Sequence, residues 1–303
     1  MDKLKMNISE EQLTTWSKAP SETEEGKSQN AVSLITEVIR DKFGSNVTIF
    51  LQGSYKNRTN IKIDSDVDIV VRHDGYFFPA VNDLSESDKS AYWSNFKASS
   101  YSFPQFKGEI LDTLIAKFGT YNVTRHEKCI NVAGNSYRVN ADIVPCFIHR
   151  RLRTPTAVAA EGIEFITDSG PHVSSFPVQH YNNGVSKHGN TDQKFKAIVR
   201  ILKHVRNQLI DQGKLTNDAM PSFFLECLVW NVLPDTHFKK DRYLDASRAV
   251  IATLWNEMRE AEKANNYAEV SDLKWLFKGN SQRTHQEVSN FMQAAWDFIG
   301  YND

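Results

Sequence analysis

Gly53-Ser54-Tyr55-Lys56-Asn57-Arg58-Thr59-Asn60-Ile61-Lys62-Ile63-Asp64-Ser65-Asp66-Val67-Asp68-Ile69-Val70-Val71 is the stretch on which the fold turns. Before it, Val47-Thr48-Ile49-Phe50-Leu51 is a β-branched and aromatic run that reads as a strand. The strand ends in Gly-Ser, a long polar loop follows, and Asp-Val-Asp enters a second strand, Val67 to Val71. Strand side chains alternate between faces, so Asp66 and Asp68 share one face while Val67 and Ile69 point into the core. At about 4 Å and an effective dielectric near 20, two such charges repel by roughly 4 kcal/mol. A fold that holds them together therefore calls for a cation or a proton between them, and oxygen-only ligands select a hard ion such as Mg²⁺.

Asp142 extends the pattern. It lies in Tyr137-Arg138-Val139-Asn140-Ala141-Asp142-Ile143-Val144-Pro145, a further predicted strand with Ala141 and Ile143 facing inward. Three carboxylates can hold two Mg²⁺ ions, with Mn²⁺ as the substitute, and two such ions can bind a triphosphate, activate an attacking hydroxyl and stabilise departing pyrophosphate. Gly53 permits close backbone approach to phosphate, Ser54 offers amide and hydroxyl donors, and Gln52 sits at the rim of the same turn. Taken singly, a Gly-Ser turn or an Asp-x-Asp loop is commonplace; their order and spacing carry the signal.

Around this centre the first half reads as mixed α/β with a small sheet. Ser21-Glu22-Thr23-Glu24 is a capping box opening a helix to Phe43, with Ala31, Leu34, Ile35, Val38 and Ile39 on its core face. A mostly helical region holding Trp93, Phe96, Ile110 and Leu114 follows the second strand. A hairpin is expected from Cys129–Ala133 and Tyr137–Phe147, turning at Gly134-Asn135. His149-Arg150-Arg151-Leu152-Arg153 reads as a solvated loop or as added positive potential near the site.

After Thr167 the chain passes through DSGPHVSSFP and YNNGVSKHGN, rich in turn formers, and then becomes helical. Phe195, Ile198, Leu202, Val205 and Leu209 form the inward stripe of a helix over 193–210. Lys196, Arg200, Lys203 and Asn207 form a polar stripe beside it, and the segment before Asp211 has no acidic residue. That stripe is either a solvated basic face or a cradle for a triphosphate, with lysine as point charge and arginine as fork. Further helices centre on 223–232, 246–262 and 285–299.

Composition bounds the reading. A chain of 303 residues, 40% hydrophobic and 24% charged, has the makeup of a folded protein of one large or two intimate domains. With 36 basic against 37 acidic side chains, the net charge of −1 argues against a nucleic-acid coat, so no obligatory nucleic acid partner is expected. No stretch approaches the ~20 apolar residues of a membrane helix, so no membrane partner is expected. The charged start MDKLKMNISEEQ is unlike an export signal, and a cytoplasmic protein is expected. Cys129, Cys146 and Cys227 are few and scattered and read as buried small hydrophobes.

Gly-Ser, Asp-x-Asp and a third strand aspartate together resemble the polymerase-β-like nucleotidyltransferases. The fuller set WSKAPSETEEGKSQNA, QGSYKNRTN, DSDVDIVV, NSYRVNADIVP, NNGVSK, FKAIVRILKHVRN and PSFFLECLVWNV resembles the cGAS/DncV-like nucleotidyltransferases, most closely the CdnE clade. The resemblance implies an α+β fold: an N-terminal spine helix and nucleotidyltransferase core over 1–180, a helical lobe over 181–303, and an active site in the cleft between them. It implies Asp66, Asp68 and Asp142 as the catalytic, metal-binding triad, Ser54 as a phosphate contact, and Lys203 as a helix lysine reaching nucleotide phosphates. Ser222 and Phe223 correspond to a pair that contacts the triphosphate and stacks on the base, although a Phe beside Phe224 and Leu225 also reads as core. Asn183, in Asn182-Asn183-Gly184, corresponds to an asparagine favouring a pyrimidine, and the same residues read equally as an Asn-Gly turn.

The implied activity joins two nucleoside triphosphates, ATP and UTP foremost, into a cyclic dinucleotide, with cyclic UMP-AMP first and cyclic di-UMP or an all-purine ring behind it. In the resembled systems the product serves anti-phage (CBASS) signalling and is read by a downstream effector. The rivals are a template-independent nucleotidyltransferase acting on a tRNA end or small molecule, and a catalytically silent nucleotide-binding module; the presence of all three aspartates speaks against the latter.

Overall fold

Val67, Ile69, Val70 and Val71 are wholly buried, and this β-branched density makes the second strand the spine of a sheet. The computed structural model describes residues 8–61, 66–279, 281 and 283–300, the side chains of 22–24 apart. Its strands are β1 (Val47–Gln52), β2 (Val67–Ala80), β3 (Val123–Arg125), β4 (Ile130–Val132), β5 (Ala141–Thr154), β6 (Ala157–Ile166) and β7 (His172–Ser175). Its helices are α1 (Glu10–Ser17), α2 (Glu22–Phe43), α3 (Gly53–Asn57), α4 (Glu86–Asn95), α5 (Phe103–Phe118), α6 (Pro177–Asn190), α7 (Phe195–Asp211), α8 (Ser222–Asn231), α9 (Tyr243–Met258), α10 (Ala261–Ala264) and α11 (His285–Ile299).

The chain divides into two compact units. Among the described residues, one comprises the chain from Ser21 to Tyr55 and on to Pro177 after a break; the other gathers those before Ser21, the stretch beginning at Lys56, and those from Val178 onward. In the first, the strands form one mixed sheet in the order β1-β2-β5-β4-β3, with β6 and β7 added beside the far half of β5. β1 runs antiparallel to β2, whereas β2 and β5 run parallel. Ala31, Ile35 and Ile39 of α2 and Phe106, Ile110 and Leu114 of α5 join the buried strand residues in one core. In the second unit, Phe195, Ile198, Leu202, Val205 and Leu209 of α7 are buried among α8, α9 and α11, as their spacing predicts.

The α+β class stands, with corrections of extent. The sheet has seven strands among the described residues, larger than the small one expected. β2 continues to Ala80 across an irregularity between His73 and Phe77, and β5 starts at Ala141 rather than Tyr137 and carries His149 to Arg153 as strand, not loop. Asn135 explains the later start, because its side chain accepts the amides of Tyr137 and Arg138 and closes a turn ahead of the ladder. Part of DSGPHVSSFP is β7, and YNNGVSKHGN is helix rather than connection. The buried face of α6 is His180, Gly184 and Lys187, a helical spacing written in residues that hydropathy overlooks. α2 opens after Ser21, with Glu25 N–H donating to the Ser21 carbonyl; the Glu24 half of the expected capping box lies outside the described residues.

Candidate active site

Asp68 on β2 is paired in register with Asp142 on β5, so the parallel ladder sets the two carboxylates side by side on one face of the sheet. Ala141 and Ile143, flanking Asp142, are buried, as are Val67 and Ile69 around Asp68, which is the alternation expected from sequence. Val67 N–H donates to the Asn140 carbonyl at 3.1 Å and extends the pairing toward Asp66. Gln52 at the end of β1 lies opposite Asp68 on its other side. Gly53 follows with φ +69° and lies so near Asp68 that a Cβ there would meet Oδ2 at 2.0 Å. Only glycine fits that backbone and that approach. Ser54 sits next, in the first turn of α3, half-buried.

The electrostatics are those of an uncompensated acidic group. Burial, then the charges of Asp142 and Asp66, push the Asp68 carboxyl up to about 7. Asp66 is also raised, first by burial and further by Asp142, while a hydrogen bond with Asn140 works the other way. Asn131 on β4 donates to Asp142 Oδ1 at 2.9 Å and orients that carboxylate. Cys129 is half-buried rather than buried, and its thiol hydrogen-bonds Asp142; burial and then the Asp142 charge push it up to about 12. Among the described residues no set of three or more His, Cys, Asp or Glu side chains is closed into a ready metal cage. The oxygen-only donors and the raised Asp66 and Asp68 carboxyls nevertheless fit a hard divalent cation, which would offset the repulsion.

The second unit holds the remaining predicted residues. Lys203 is 2% exposed and donates to the Thr59 carbonyl at 2.8 Å. Burial lowers its ammonium to about 8, with Arg206 and Arg200 adding to the effect and Glu226 opposing it. Arg200 donates to the backbone carbonyls of Ser17 and Arg58. The solvated-face reading of this stripe therefore falls: Lys196, Arg200 and Lys203 are all buried. Lys56 and Lys196 both lie over the Tyr181 ring, at 4.6 and 5.7 Å. Burial, then the cations Lys196 and Arg200, lower His188 to about 4. Such a concentration of positive charge suits a polyanion.

Ser222 opens α8 and accepts from Arg206 at 3.1 Å. Phe223 is 41% exposed beside fully buried Phe224 and Leu225, which removes the core reading and leaves a ring face available for stacking. Asn183 lies in the middle of α6, so the Asn-Gly turn is overturned; its amide donates to the Val270 carbonyl at 2.8 Å. Sequence reasoning missed Thr59, Glu226, Arg206 and Asn131. An acidic residue inside the apolar run Phe223-Phe224-Leu225-Glu226-Cys227-Leu228-Val229 was the available signal for Glu226, because such a carboxylate must find buried partners. The others depend on contacts between distant segments.

A family profile, described as the cGAS/DncV-like nucleotidyltransferase C-terminal helical domain, matches residues 182–300. The cyclic dipurine nucleotide synthase of Elizabethkingia meningoseptica is 46% identical over 98% of this chain and 100% of its own length. A solved structure of the CdnE cyclic dinucleotide synthase from that organism, with GTP and Apcpp, is similar with a TM-score of 0.83 at 43% identity, covering 97% of this chain and 100% of that one. The cyclic dipyrimidine nucleotide synthase CdnE of Cecembia lonarensis is 37% identical over 96% of this chain and 98% of its own. The structure of the Rhodothermus marinus CdnE c-UMP-AMP synthase with Apcpp and Upnpp has a TM-score of 0.79 at 29% identity, covering 95% of each chain.

Proposed function

The chain belongs to the cGAS/DncV-like nucleotidyltransferases of the CdnE type, which are cyclic dinucleotide synthases, and from that premise we propose how its residues divide the work. Asp66, Asp68 and Asp142 form the catalytic triad. Two Mg²⁺ ions, replaceable by Mn²⁺, would be held by these carboxylates and would supply charge neutralisation for the triphosphate and the departing pyrophosphate.

The reaction is an in-line displacement. The 3′-oxygen of one nucleotide bonds to the α-phosphorus of another, the bond from that phosphorus to the bridging oxygen breaks, and pyrophosphate leaves. Asp142, oriented by Asn131, takes up the proton of the attacking hydroxyl. Gly53 admits phosphate oxygens close to the backbone and Ser54 donates to them. Lys203 supplies an ammonium to nucleotide phosphates, with Arg200 completing the local positive field; Ser222 contacts phosphate and Phe223 stacks on a base. The linear product turns over and a second displacement closes the ring. The in-register pairing of Asp68 with Asp142 beside Gly53 is the observation that carries this reading.

A pyrimidine-containing product, cyclic UMP-AMP first, is supported by Asn183. With its amide N–H directed to Val270, its carbonyl oxygen is left to accept the N3–H of uracil. A dipurine product is the second reading, favoured by the 46% identity to the E. meningoseptica enzyme. The setting proposed is the cytoplasm, in anti-phage signalling, with ATP, UTP and other nucleoside triphosphates as substrates and a downstream effector reading the product. Incubation with all four labelled triphosphates and Mg²⁺, then phosphatase and mass spectrometry, tests the scheme. A phosphatase-resistant cyclic dinucleotide is expected; transfer only to an added acceptor, or no transfer, overturns it.

A further inference from the structure

Glu226 sits near the centre of α8 with its side chain 4% exposed, the one acidic residue in an apolar helix. Oε1 meets His180 Nε2 at 3.0 Å, and Oε2 accepts from the Thr59 hydroxyl at 2.9 Å. Thr59 is itself fully buried, and its carbonyl receives the Lys203 ammonium. The Lys203 nitrogen also reaches the Thr59 hydroxyl at 3.5 Å. At the other end, the His180 ring lies 5.6 Å from that of Phe223 at an interplanar angle of 31°. A buried carboxylate is thus joined through single contacts to the group assigned to phosphate and to the ring assigned to the base.

We propose that Glu226 is a positioning residue for nucleotide binding: through Thr59 it fixes the Lys203 ammonium, and through His180 it sets the Phe223 ring. The proposal rests on the assignment of Lys203 and Phe223 as nucleotide contacts. Two physical arguments carry it. An ammonium has three N–H bonds, and the Thr59 carbonyl and hydroxyl engage at most two, so one remains for a phosphate oxygen in a fixed direction. Glu226 is also the negative charge that faces Lys203: Arg200 and Arg206 share α7 with the lysine, Arg58 stands beside Thr59, Lys196 lies about two turns away on the same helix, and the His180 ring shares the carboxylate. Lys203 already stands at about 8, so removing that charge moves its deprotonation to still lower pH. Burial works to raise Glu226, but His180, Lys203 and Thr59 outweigh it and hold the carboxyl ionised.

The test compares Glu226→Gln, Thr59→Val and Thr59→Ser with the unaltered protein, recording pyrophosphate release against nucleotide concentration from pH 6 to 9.5, with Asp68→Asn in parallel. Glu226→Gln is expected to raise KM about tenfold with kcat within about threefold, and to shift the alkaline fall in 1/KM to lower pH by about one unit. Thr59→Val should raise KM comparably, and Thr59→Ser, which keeps the hydroxyl, should restore it. Unchanged KM and unchanged alkaline fall in Glu226→Gln, with Asp68→Asn inactive, overturn the proposal while leaving the synthase reading intact. Release that persists in Asp68→Asn overturns the site assignment beneath it. Should Glu226→Gln fail to fold, the Thr59 pair decides: KM at the unaltered value in both sinks the proposal.

Discussion

Gly53 and Asp68 are so close that the missing side chain of one makes room for the carboxylate of the other: a Cβ on Gly53 would stand 2.0 Å from Asp68 Oδ2 and 2.9 Å from its Cγ. The strand-to-helix corner and the β2 carboxylate are therefore one device. The glycine's left-handed backbone and its bare face are both required.

Gly53→Ala should abolish synthesis without unfolding the protein. A φ of +69° disfavours alanine by roughly 1–2 kcal/mol, and the clash must displace Asp68. The expected result is a fall in kcat of at least about a hundredfold, with a circular dichroism spectrum like that of the parent. Near-normal turnover would show that Asp68 need not stay where it is.

Stability should depend on pH through Asp68. Its folded carboxyl stands at about 7 against an unfolded value of 3.8, so the native state holds a proton that the unfolded chain has lost across this window. Stability therefore falls as pH rises from about 4 to about 7, by at most a few kcal/mol after solvent screening. In EDTA, thermal unfolding followed across that range should show the decline, and Asp68→Asn should reduce it to the smaller slope that Asp66 leaves. Added Mg²⁺ should raise Tm strongly at pH 7.5 and weakly at pH 5; equal shifts at both would contradict the carboxylate assignment.

Lys203 gives a slope in the opposite direction. Its folded ammonium stands at about 8, below the unfolded 10.5, so between these values the unfolded chain holds more protons and stability rises with pH. Affinity for a triphosphate should fall over the same range, as the charge is lost. Lys203→Met should weaken both trends, leaving the smaller contributions of Lys187 and Lys196 to stability, and raise KM by about tenfold or more. Denaturant melts at pH 8 and 10, with nucleotide titrations at each, provide the measurement.

Base choice should respond to Asn183. Asn183→Ala removes the amide that bonds Val270 and the oxygen left for a uracil edge. In a four-nucleotide reaction the product spectrum should lose UMP relative to purines, by about tenfold in ratio. An unchanged spectrum would place the selection elsewhere.

Much of this architecture was readable because it rests on period. The alternation around Asp66-Val67-Asp68-Ile69 gives the face of the carboxylates, and the Phe195 to Leu209 stripe gives α7. What period cannot see is a face buried with polar residues, and α6, which hides His180, Gly184 and Lys187, was lost for that reason. β6 was missed because its first residues, Ala157 to Ala159, are all exposed and apolar, so they show no alternation of apolar and polar positions. Within the site, the aspartates were legible as a motif, whereas Asn131 beside Asp142 and Thr59 beside Glu226 arise from pairing of segments far apart in the chain.

The parallel ladder between β2 and β5 has a consequence for how the enzyme comes into being. Its two strands are separated by α4, α5 and the β3–β4 hairpin, and parallel neighbours cannot be joined by a tight turn. Asp68 and Asp142 therefore meet only when a long crossover has closed, one of the slower kinds of event in folding. A nascent or half-folded chain has the aspartates but no pair, so on the proposed assignment nucleotidyl chemistry would begin only with the finished core, and fragments released by proteolysis between the strands would carry none of it.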